Sequence, residues 1–416
     1  MEGNTYLRAE EWLKDLAEFT LPARHSQVKL THGMGAALMR YREELKMYAA
    51  IRDQELAGTG AGPSMECAEF LDQRHAAVKA EWPSGKERGA WWRDLEALRA
   101  LLEEQIGQHP HGAFVKFSVR SPKDAAGMMA CFQPLLREHV RASGVHPDSP
   151  EALSADVSAL KYASWKALRC RSGEDAVLLF ARSDRIYLDI LQHELFSKGD
   201  KDAAFDLSVH VFEFFTGFDP DWEFRAFCAA GQRTSITAYN PWVYSRDMID
   251  KQGPILRLIT ALWDRAQPRI ASQNYSLDFA VAPDLSGCWI VELNNFLPPL
   301  AGCGLFDYHA EADRQILMHG PFEFRIRTTH VTEDDFSRVR VHPDTGVKTT
   351  IVMQPATPEV MTFVRNLRRE AFNLPPILHQ PQSQQQQQEK EKEKDSSSQQ
   401  DLSTIQQDPQ QSCHLL

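Results

Sequence analysis

The chain contains 416 residues, of which 43% are hydrophobic and 25% are charged, a composition typical of a globular protein. Its 46 Lys and Arg residues are outnumbered by 57 Asp and Glu residues, which gives a formal net charge of −11. This charge argues against nonspecific nucleic-acid binding, because such binding needs a basic surface. No apolar run is long enough to cross a bilayer and residues 1–4 do not begin a signal peptide, so we expect a cytoplasmic protein without a transmembrane segment.

Apolar periodicity predicts a mixed α+β fold. Apolar side chains recur at intervals of three and four residues over 38–48, 95–106 and 255–263, which predicts three amphipathic helices. Short apolar runs predict strands at 113–119, 176–181, 224–230, 234–237, 276–282 and 288–293. We therefore expect a mostly helical N-terminal region at 1–112 that belongs to the same fold as a core at 113–375.

The composition changes abruptly after about Pro375. A glutamine run at 384–388 is followed by alternating charges at 389–394 and by three serines. Such a segment has too little apolar surface to offset the entropy of the chain, so we predict a disordered Gln-rich tail at 376–416. The chain ends in Cys413-His-Leu-Leu, which loosely fits a prenylation pattern, although a free cysteine at the end of a tail is the simpler interpretation.

Residues 276–296 predict an antiparallel hairpin whose turn centres on Leu285. This register places Asp278 opposite Glu292. Because side chains alternate along a strand, Asn294 lies on the same face as Glu292. The apolar residues of the hairpin are expected on the other face, towards a core: Leu277, Phe279, Val281, Trp289, Val291 and Leu293.

Two opposed carboxylates and an amide oxygen form a set of ligands that Mg²⁺ prefers. The hairpin therefore offers Asp278, Glu292 and Asn294 as candidate metal ligands. A solvated strand face with ordinary polar residues is the alternative interpretation.

Two further strands carry polar residues on otherwise apolar segments. Lys116 either extends along a sheet edge into water or presents a point charge to a phosphate. Glu223 and Arg225 share a strand face, either as an ordinary ion pair or as part of a nucleotide site. The aromatic stretch at 210–216 offers a flat wall for a purine, although such stretches more often belong to a core.

Several segments between 113 and 308 occur in a characteristic order. They include Phe114-Val115-Lys116, Ser121-Pro122-Lys123-Asp124-Ala125, Glu223-Phe224-Arg225-Ala226-Phe227, Asp278 and Glu292-Leu293-Asn294-Asn295-Phe296. Together they resemble the cell division cycle protein 123 family. The resemblance implies an ATP-grasp-like fold, in which two lobes with antiparallel sheets grip ATP and Mg²⁺. It also implies an assembly chaperone that binds the gamma subunit of eukaryotic translation initiation factor 2 and promotes assembly of the heterotrimer.

The resemblance also implies roles for individual residues. The implied nucleotide-binding residues are Lys116 at the phosphates, Phe215 against adenine, and Glu223, Arg225, Asp278 and Glu292. The implied metal ligands are Asp278, Glu292 and Asn294, the same three residues that the hairpin register brings together.

The chain departs from the family pattern in ways that indicate a divergent member. Glu213 occupies the position of an Arg, Ala238 that of a polar residue, and Asn295 that of a Pro. Two other functions stay open: an ATP-grasp carboxylate–amine ligase acting through an acyl phosphate, and a nucleotide-free interaction protein whose site has decayed. A monomeric chaperone with the gamma subunit as partner is the favoured prediction.

Overall fold

The computed structural model describes residues 7–21, 25–58, 89–196, 205–296, 302–341, 348–352 and 356–377. The predicted tail beyond residue 377, with Cys413, lies outside these ranges. The helices are α1 (Ala9–Leu16), α2 (His32–Gly58), α3 (Ala90–Ile106), α4 (Phe132–Ser143), α5 (Ala152–Ala167), α6 (Gly173–Arg182), α7 (Asp184–Phe196), α8 (Arg246–Asp250), α9 (Gln252–Ala266), α10 (Glu311–His319) and α11 (Pro358–Ala371). The strands are β1 (His25–Lys29), β2 (Ala113–Phe117), β3 (Arg169–Cys170), β4 (Ser208–Glu213), β5 (Glu223–Ala229), β6 (Gln232–Ala238), β7 (Tyr275–Val281), β8 (Cys288–Asn295), β9 (Glu323–Arg325), β10 (Ser337–Val341) and β11 (Lys348–Val352).

The predicted α+β class is confirmed. The three helices expected from periodicity are α2, α3 and α9, and five of the six expected strands are β2 and β5 to β8. The described part of the chain up to residue 112 supplies α1, α2 and α3 and also β1, which joins a sheet. Within the described ranges, no helix is both long and apolar enough to cross a membrane.

The first sheet is antiparallel, with the strand order β1-β4-β2-β3. One face packs against α2, α3 and α6, where Val115 and Phe117 of β2 are fully buried beside Leu95 and Leu98. Because side chains alternate along β2, Lys116 points away from this core. The sheet thus directs its lysine to the face that does not pack against these helices.

The strand predicted at 176–181 is wrong, because these residues form the middle of α6. The Ser172 side chain accepts a hydrogen bond from the Asp175 N–H and so caps the helix start. Every residue from Ala176 to Ala181 is buried, so the helix has no polar stripe in this stretch. A short apolar run without periodicity cannot distinguish a buried helix from a buried strand.

The second sheet has the order β8-β7-β5-β6-β9 and is antiparallel except between β6 and β9. One face packs on α9, where Ile255, Ile259 and Trp263 meet Phe224 and Leu277. The hairpin of β7 and β8 pairs Asp278 with Glu292, as the sequence predicts. Each of the two sheets thus has its own apolar core.

The predicted hairpin register fails beyond Asp278. A bulge between Asp278 and Phe279 pairs Phe279 with Ile290 rather than with Val291. Ile290 is therefore buried in the core of the second sheet. Val291 instead lines a cavity, and Trp289 contacts the ring of Phe215. The predicted core positions of Val291 and Trp289 are thus wrong, because a single extra residue exchanges the faces of β8.

Helix α1 joins the two sheets. The Ala9 N–H donates to the Ser118 carbonyl, at 2.7 Å, at the end of β2. Trp12 and Leu16 pack in the core of the second sheet, and Thr20 forms a parallel bridge with Ile290 of β8. This N-terminal segment therefore holds the sheets on either side of a common space.

Helices α4, α5 and α11 form a third apolar cluster beside that space. Leu136, Leu160 and Val364, one from each helix, belong to it. Arg368 of α11 donates to the Asp156 carboxylate of α5 at 2.6 Å, and both side chains are almost fully buried. The C-terminal helix therefore fixes the position of α5.

Candidate functional site

A cavity of about 280 Å³ lies between the two sheets, with α5 along a third side. Each sheet contributes strands to its walls, and Trp12 and Thr20 of the N-terminal segment complete them. The cavity has an aromatic part and a charged part. The lining residues include Phe114, Lys116, Glu213, Phe215, Glu223 and Val291 from the sheets and their loops, Lys123 and Tyr239 from adjoining loops, and Lys161 and Trp165 from α5.

The aromatic part contains the residue predicted to stack on adenine. Phe215 lines the cavity, and its ring meets Trp289 with 5.2 Å between centroids and an interplanar angle of 61°. Trp165 stacks on Phe214 at 4.7 Å and lies 5.5 Å from Phe114. Because these rings hold one another in place, this part offers a preformed apolar wall to a flat ligand.

Lys116 connects the two sheets through an ion pair. Its Nζ donates to Glu292 Oε1 at 2.6 Å, across the space between β2 and β8. Burial would raise the pKa of Glu292, but the positive charges of Lys116 and Lys123 lower it to about 2. Glu292 is therefore anionic at neutral pH. Of the two interpretations of Lys116, extension along a sheet edge into water is wrong, because its ammonium is bound to Glu292.

Arg225 and Asp278 form a two-pronged pair on the neighbouring strands β5 and β7. The guanidinium donates to the two carboxylate oxygens at 2.7 and 2.8 Å and to the Gly302 carbonyl at 3.0 Å. Burial lowers the pKa of Arg225, but the charge of Asp278 outweighs it and raises the pKa above its ordinary value. The guanidinium also lies 4.7 Å from the centroid of the Tyr239 ring.

The three predicted metal ligands lie together. The Asn294 amide is 3.4 Å from an oxygen of Asp278 and 3.4 Å from an oxygen of Glu292. Among the residues that the structure describes, no three His, Cys, Asp or Glu side chains form a group that could hold a metal ion. Any hard cation here would thus rely on two carboxylates and an amide, each of which already has a partner in the protein.

The charged form of Glu223 is disfavoured by its surroundings. It lies on the face of β5 that carries Arg225, and its side chain is buried. Burial and repulsion from Asp278 raise its pKa to about 7, although Lys123 and Lys161 act in the opposite direction. A carboxyl group with this pKa changes charge near neutral pH.

Three residues of the charged part were missed by the sequence prediction of the site. They are Lys123 in a 3₁₀ turn after β2, Lys161 on α5 and Tyr239 after β6. Lys123 belongs to a segment that carries the family resemblance, which was the available signal. Lys161 gave none, because one lysine on a helix is ordinary and its position depends on how α5 packs.

Two of the three departures noted in the sequence, Glu213 and Ala238, have different consequences in the structure. Glu213 belongs to the cavity wall, but it pairs with the buried Ala113 and alternates with the buried Val211, so its side chain lies on the face of β4 that packs against the helices. Ala238 is buried in the core of the second sheet instead, so no polar side chain is missing from the cavity wall at that position.

Comparison with known proteins gives a family and two structural neighbours. Cdc123 from Schizosaccharomyces pombe is 14% identical, with 77% of this chain and 96% of that chain covered and a TM-score of 0.46. A C-terminally truncated form of the same protein gives 14% identity, the same coverage and a TM-score of 0.45. These similarities are too weak to establish a shared fold. No curated protein matches the chain.

A family model supplies the stronger finding. The model named D123, which describes the Cdc123 family, matches residues 155–343. The matched segment contains β4 to β9, and with them Phe215, Glu223, Arg225 and the three predicted metal ligands. The predicted resemblance is thus confirmed over residues 155–343, the part of the chain that the D123 family model matches.

Proposed function

We propose that this protein binds ATP and Mg²⁺ between its two sheets and acts as an assembly chaperone that binds the gamma subunit of eukaryotic translation initiation factor 2. One observation carries the nucleotide part. An aromatic-lined cavity carries Lys116 on its wall, and Lys116 is bonded to one member of the cluster of Asp278, Glu292 and Asn294. A flat apolar wall and a charged group are what a purine nucleotide requires.

The division of the cavity suggests how a nucleotide would lie. Phe215 and Trp165 would contact the base, because aromatic rings stack on any planar base. Lys116 would then leave Glu292 for a phosphate oxygen, a charge-assisted bond of comparable strength. The volume of about 280 Å³ is close to the roughly 300 Å³ at which small-molecule pockets begin.

The donor set fits a hard cation. Asp278, Glu292 and Asn294 would hold Mg²⁺, with the Asn294 amide turned so that its oxygen faces the ion. When bound, the ion would offset the negative charge of the phosphates. In the structure, Arg225 and Lys116 neutralise the two carboxylates, so these acids are kept close together at low cost.

The partner is proposed from the family. The net charge of −11 is compatible with docking on a basic surface of a protein partner but does not select one. Binding of purified gamma subunit, measured by calorimetry with and without Mg-ATP, tests this part. We expect binding that Mg-ATP strengthens in the wild type and not in Asp278→Ala. Absence of binding in both conditions would refute the chaperone role.

Nucleotide binding is tested by thermal unfolding with ATP and Mg²⁺. We expect the wild type to gain thermal stability, and Lys116→Met and Asp278→Ala to lose most of that gain. Lys166→Met is the matched control, because Lys166 lies on α5 and donates to the Thr216 carbonyl instead of lining the cavity. Release of ADP with a carboxylate and an amine substrate would favour the ligase.

A nucleotide-free interaction protein is the second candidate. It is favoured by the internal pairing of both carboxylates and by Glu213, an acid at the position where the family resemblance implies an arginine. A wild type that gains no stability from Mg-ATP while binding the gamma subunit would support this alternative.

A further inference from the structure

Two lysines of the cavity come from separate parts of the chain and converge on one aromatic ring. Lys123 follows β2, whereas Lys161 lies on α5. Their ammonium groups lie 5.7 and 5.8 Å from the centroid of Tyr239. The Tyr239 N–H donates to the Glu223 carbonyl at 2.8 Å, so the backbone of Tyr239 is held beside that of Glu223.

These two lysines differ from Lys116 in their partners. The Lys116 ammonium donates to Glu292, but the ammonium groups of Lys123 and Lys161 form no hydrogen bond or ion pair with any residue of the described ranges. Their contacts with the Tyr239 ring are cation–π interactions, which use none of the three N–H donors of an ammonium group. The two ammonium groups thus have six N–H donors that no acceptor among the described residues uses.

The charges around the two lysines explain how both can stay protonated. Burial and the charge of Lys123 lower the pKa of Lys161, while Glu223 raises it. For Lys123, removal of the ammonium from water lowers the pKa, but the carboxylates of Glu223, Glu292 and Asp278 raise it, and the pKa lies above its ordinary value. Glu223 acts on the charges of both lysines, yet it is only partly ionised near neutral pH. An incoming anion would complete the balance.

We propose that Lys123 and Lys161 form a second anion subsite in the cavity, which binds a phosphate group of the nucleotide and makes affinity depend on the number of phosphates. This inference rests on the proposed binding of a nucleotide. A phosphate fits because it has several acceptor oxygens for two ammonium groups that approach from different elements. The apolar wall at Phe215 holds no comparable group and would contact only the base.

The position of Lys161 depends on the helical cluster and not on either sheet. One turn before it, Val157 packs in that cluster, and Asp156 is held by Arg368 of α11. Lys161 and Leu160 follow on the same helix, with Lys161 turned to the cavity. Helix α5 therefore supplies a ligand-binding residue from outside the two sheets that form the rest of the site.

The test compares ligands that differ only in phosphate number. Dissociation constants for adenosine, ADP and ATP, and for tripolyphosphate alone, are measured by calorimetry with Mg²⁺ for wild type, Lys161→Met, Lys161→Arg and Lys123→Met. We expect each Met variant to weaken ATP and tripolyphosphate binding about tenfold or more, since a charge-assisted bond is lost, and adenosine binding less than about twofold. Lys161→Arg should recover most of the affinity for ATP.

Controls separate this inference from the proposed function. Lys166→Met, on the same helix, should bind every ligand as the wild type does, and circular dichroism should show that all variants are folded. If wild type binds ATP and neither Met variant changes the ratio of ATP to adenosine affinity, the subsite is refuted and nucleotide binding stands. If wild type binds tripolyphosphate through Lys161 but not ATP, the subsite stands and the proposed nucleotide is wrong. Absence of binding by all four ligands would overturn both.

Discussion

Two buried arginine–aspartate pairs illustrate how the same chemistry serves different ends. In the helical cluster, Arg368 and Asp156 are 1% and 2% exposed, and Arg368 also donates to the Ser143 hydroxyl and the Val145 carbonyl. Beside the cavity, the second pair consists of Arg225 and Asp278, which are 12% and 1% exposed. Both arginines thus reach a carboxylate and a backbone carbonyl, and both aspartates come from elements distant in sequence.

The surroundings of the two pairs differ. Arg368 and Asp156 lie among apolar residues such as Leu160 and Val364, where removal of either partner leaves an isolated charge. Asp278, by contrast, lies beside the acids Glu223 and Glu292 and near three lysines. The helical pair is therefore a closed structural link, whereas the cavity pair belongs to a group of charges that can be rearranged when a ligand enters.

The largest effect is expected for Asp156→Ala. It leaves the Arg368 guanidinium buried without its carboxylate, which should lower the free energy of unfolding by about 3–5 kcal/mol. Urea denaturation measures the loss. The double variant Asp156→Ala with Arg368→Met should regain part of it, because no buried charge is left unpaired. A loss below 1 kcal/mol would show that this pair is not a structural link.

A smaller loss of stability is expected for Asp278→Ala, about 2 kcal/mol, together with loss of the ligand-induced thermal shift. Arg225 keeps the Gly302 carbonyl and the Tyr239 ring, and removal of Asp278 also relieves repulsion on Glu223. Urea denaturation and thermal unfolding with Mg-ATP measure the two effects. A greater destabilisation than that of Asp156→Ala would contradict the distinction between the pairs.

Glu223→Gln should change the pH dependence of stability. The folded state keeps a proton on Glu223 up to about pH 7, whereas the unfolded chain releases it near the ordinary value of 4.5. The contribution of protonated Glu223 to the free energy of unfolding is thus fully present below pH 4.5 and is lost as the pH rises towards 7. At pH 8 the variant should be more stable than the wild type by about 2 kcal/mol, and at pH 4.5 the two should be nearly equal. Urea denaturation at pH 4.5 and pH 8 measures the difference in stability. A variant that is less stable than the wild type at pH 8 would refute the raised pKa of Glu223.

The smallest effect is expected for Glu370→Gln, which serves as a surface reference for both buried pairs. Glu370 is 52% exposed and lies 3.4 and 3.3 Å from Arg137 and Arg141. Exposed pairs contribute little, so the loss should be below about 0.5 kcal/mol and should vanish in 1 M salt. If Glu370→Gln lowered the free energy of unfolding as much as Asp278→Ala does, burial would not explain why the pairs differ in their contribution to stability.

Local pattern predicted much of the second sheet. Alternation and a turn of known length were enough to pair Asp278 with Glu292 and to place Glu223 beside Arg225, because both depend only on the period of a strand. Beyond Asp278 the same reasoning failed for Trp289 and Val291, because a bulge leaves no mark in the spacing of apolar residues. The helix at 173–182 was missed since its apolar run is buried on all sides.

By itself, the sequence determined which residues share a strand face: Lys116 opposite an apolar core, the polar pair of β5, and the three oxygen-bearing side chains of the hairpin. Only the tertiary structure decided what meets across the cavity. The bond from Lys116 to Glu292 joins two sheets, and the convergence of Lys123 and Lys161 on Tyr239 joins a turn, a helix and a loop. The reason is physical: strand periodicity acts over a few residues, whereas contacts between lobes depend on how α1 and α5 pack between and beside the sheets.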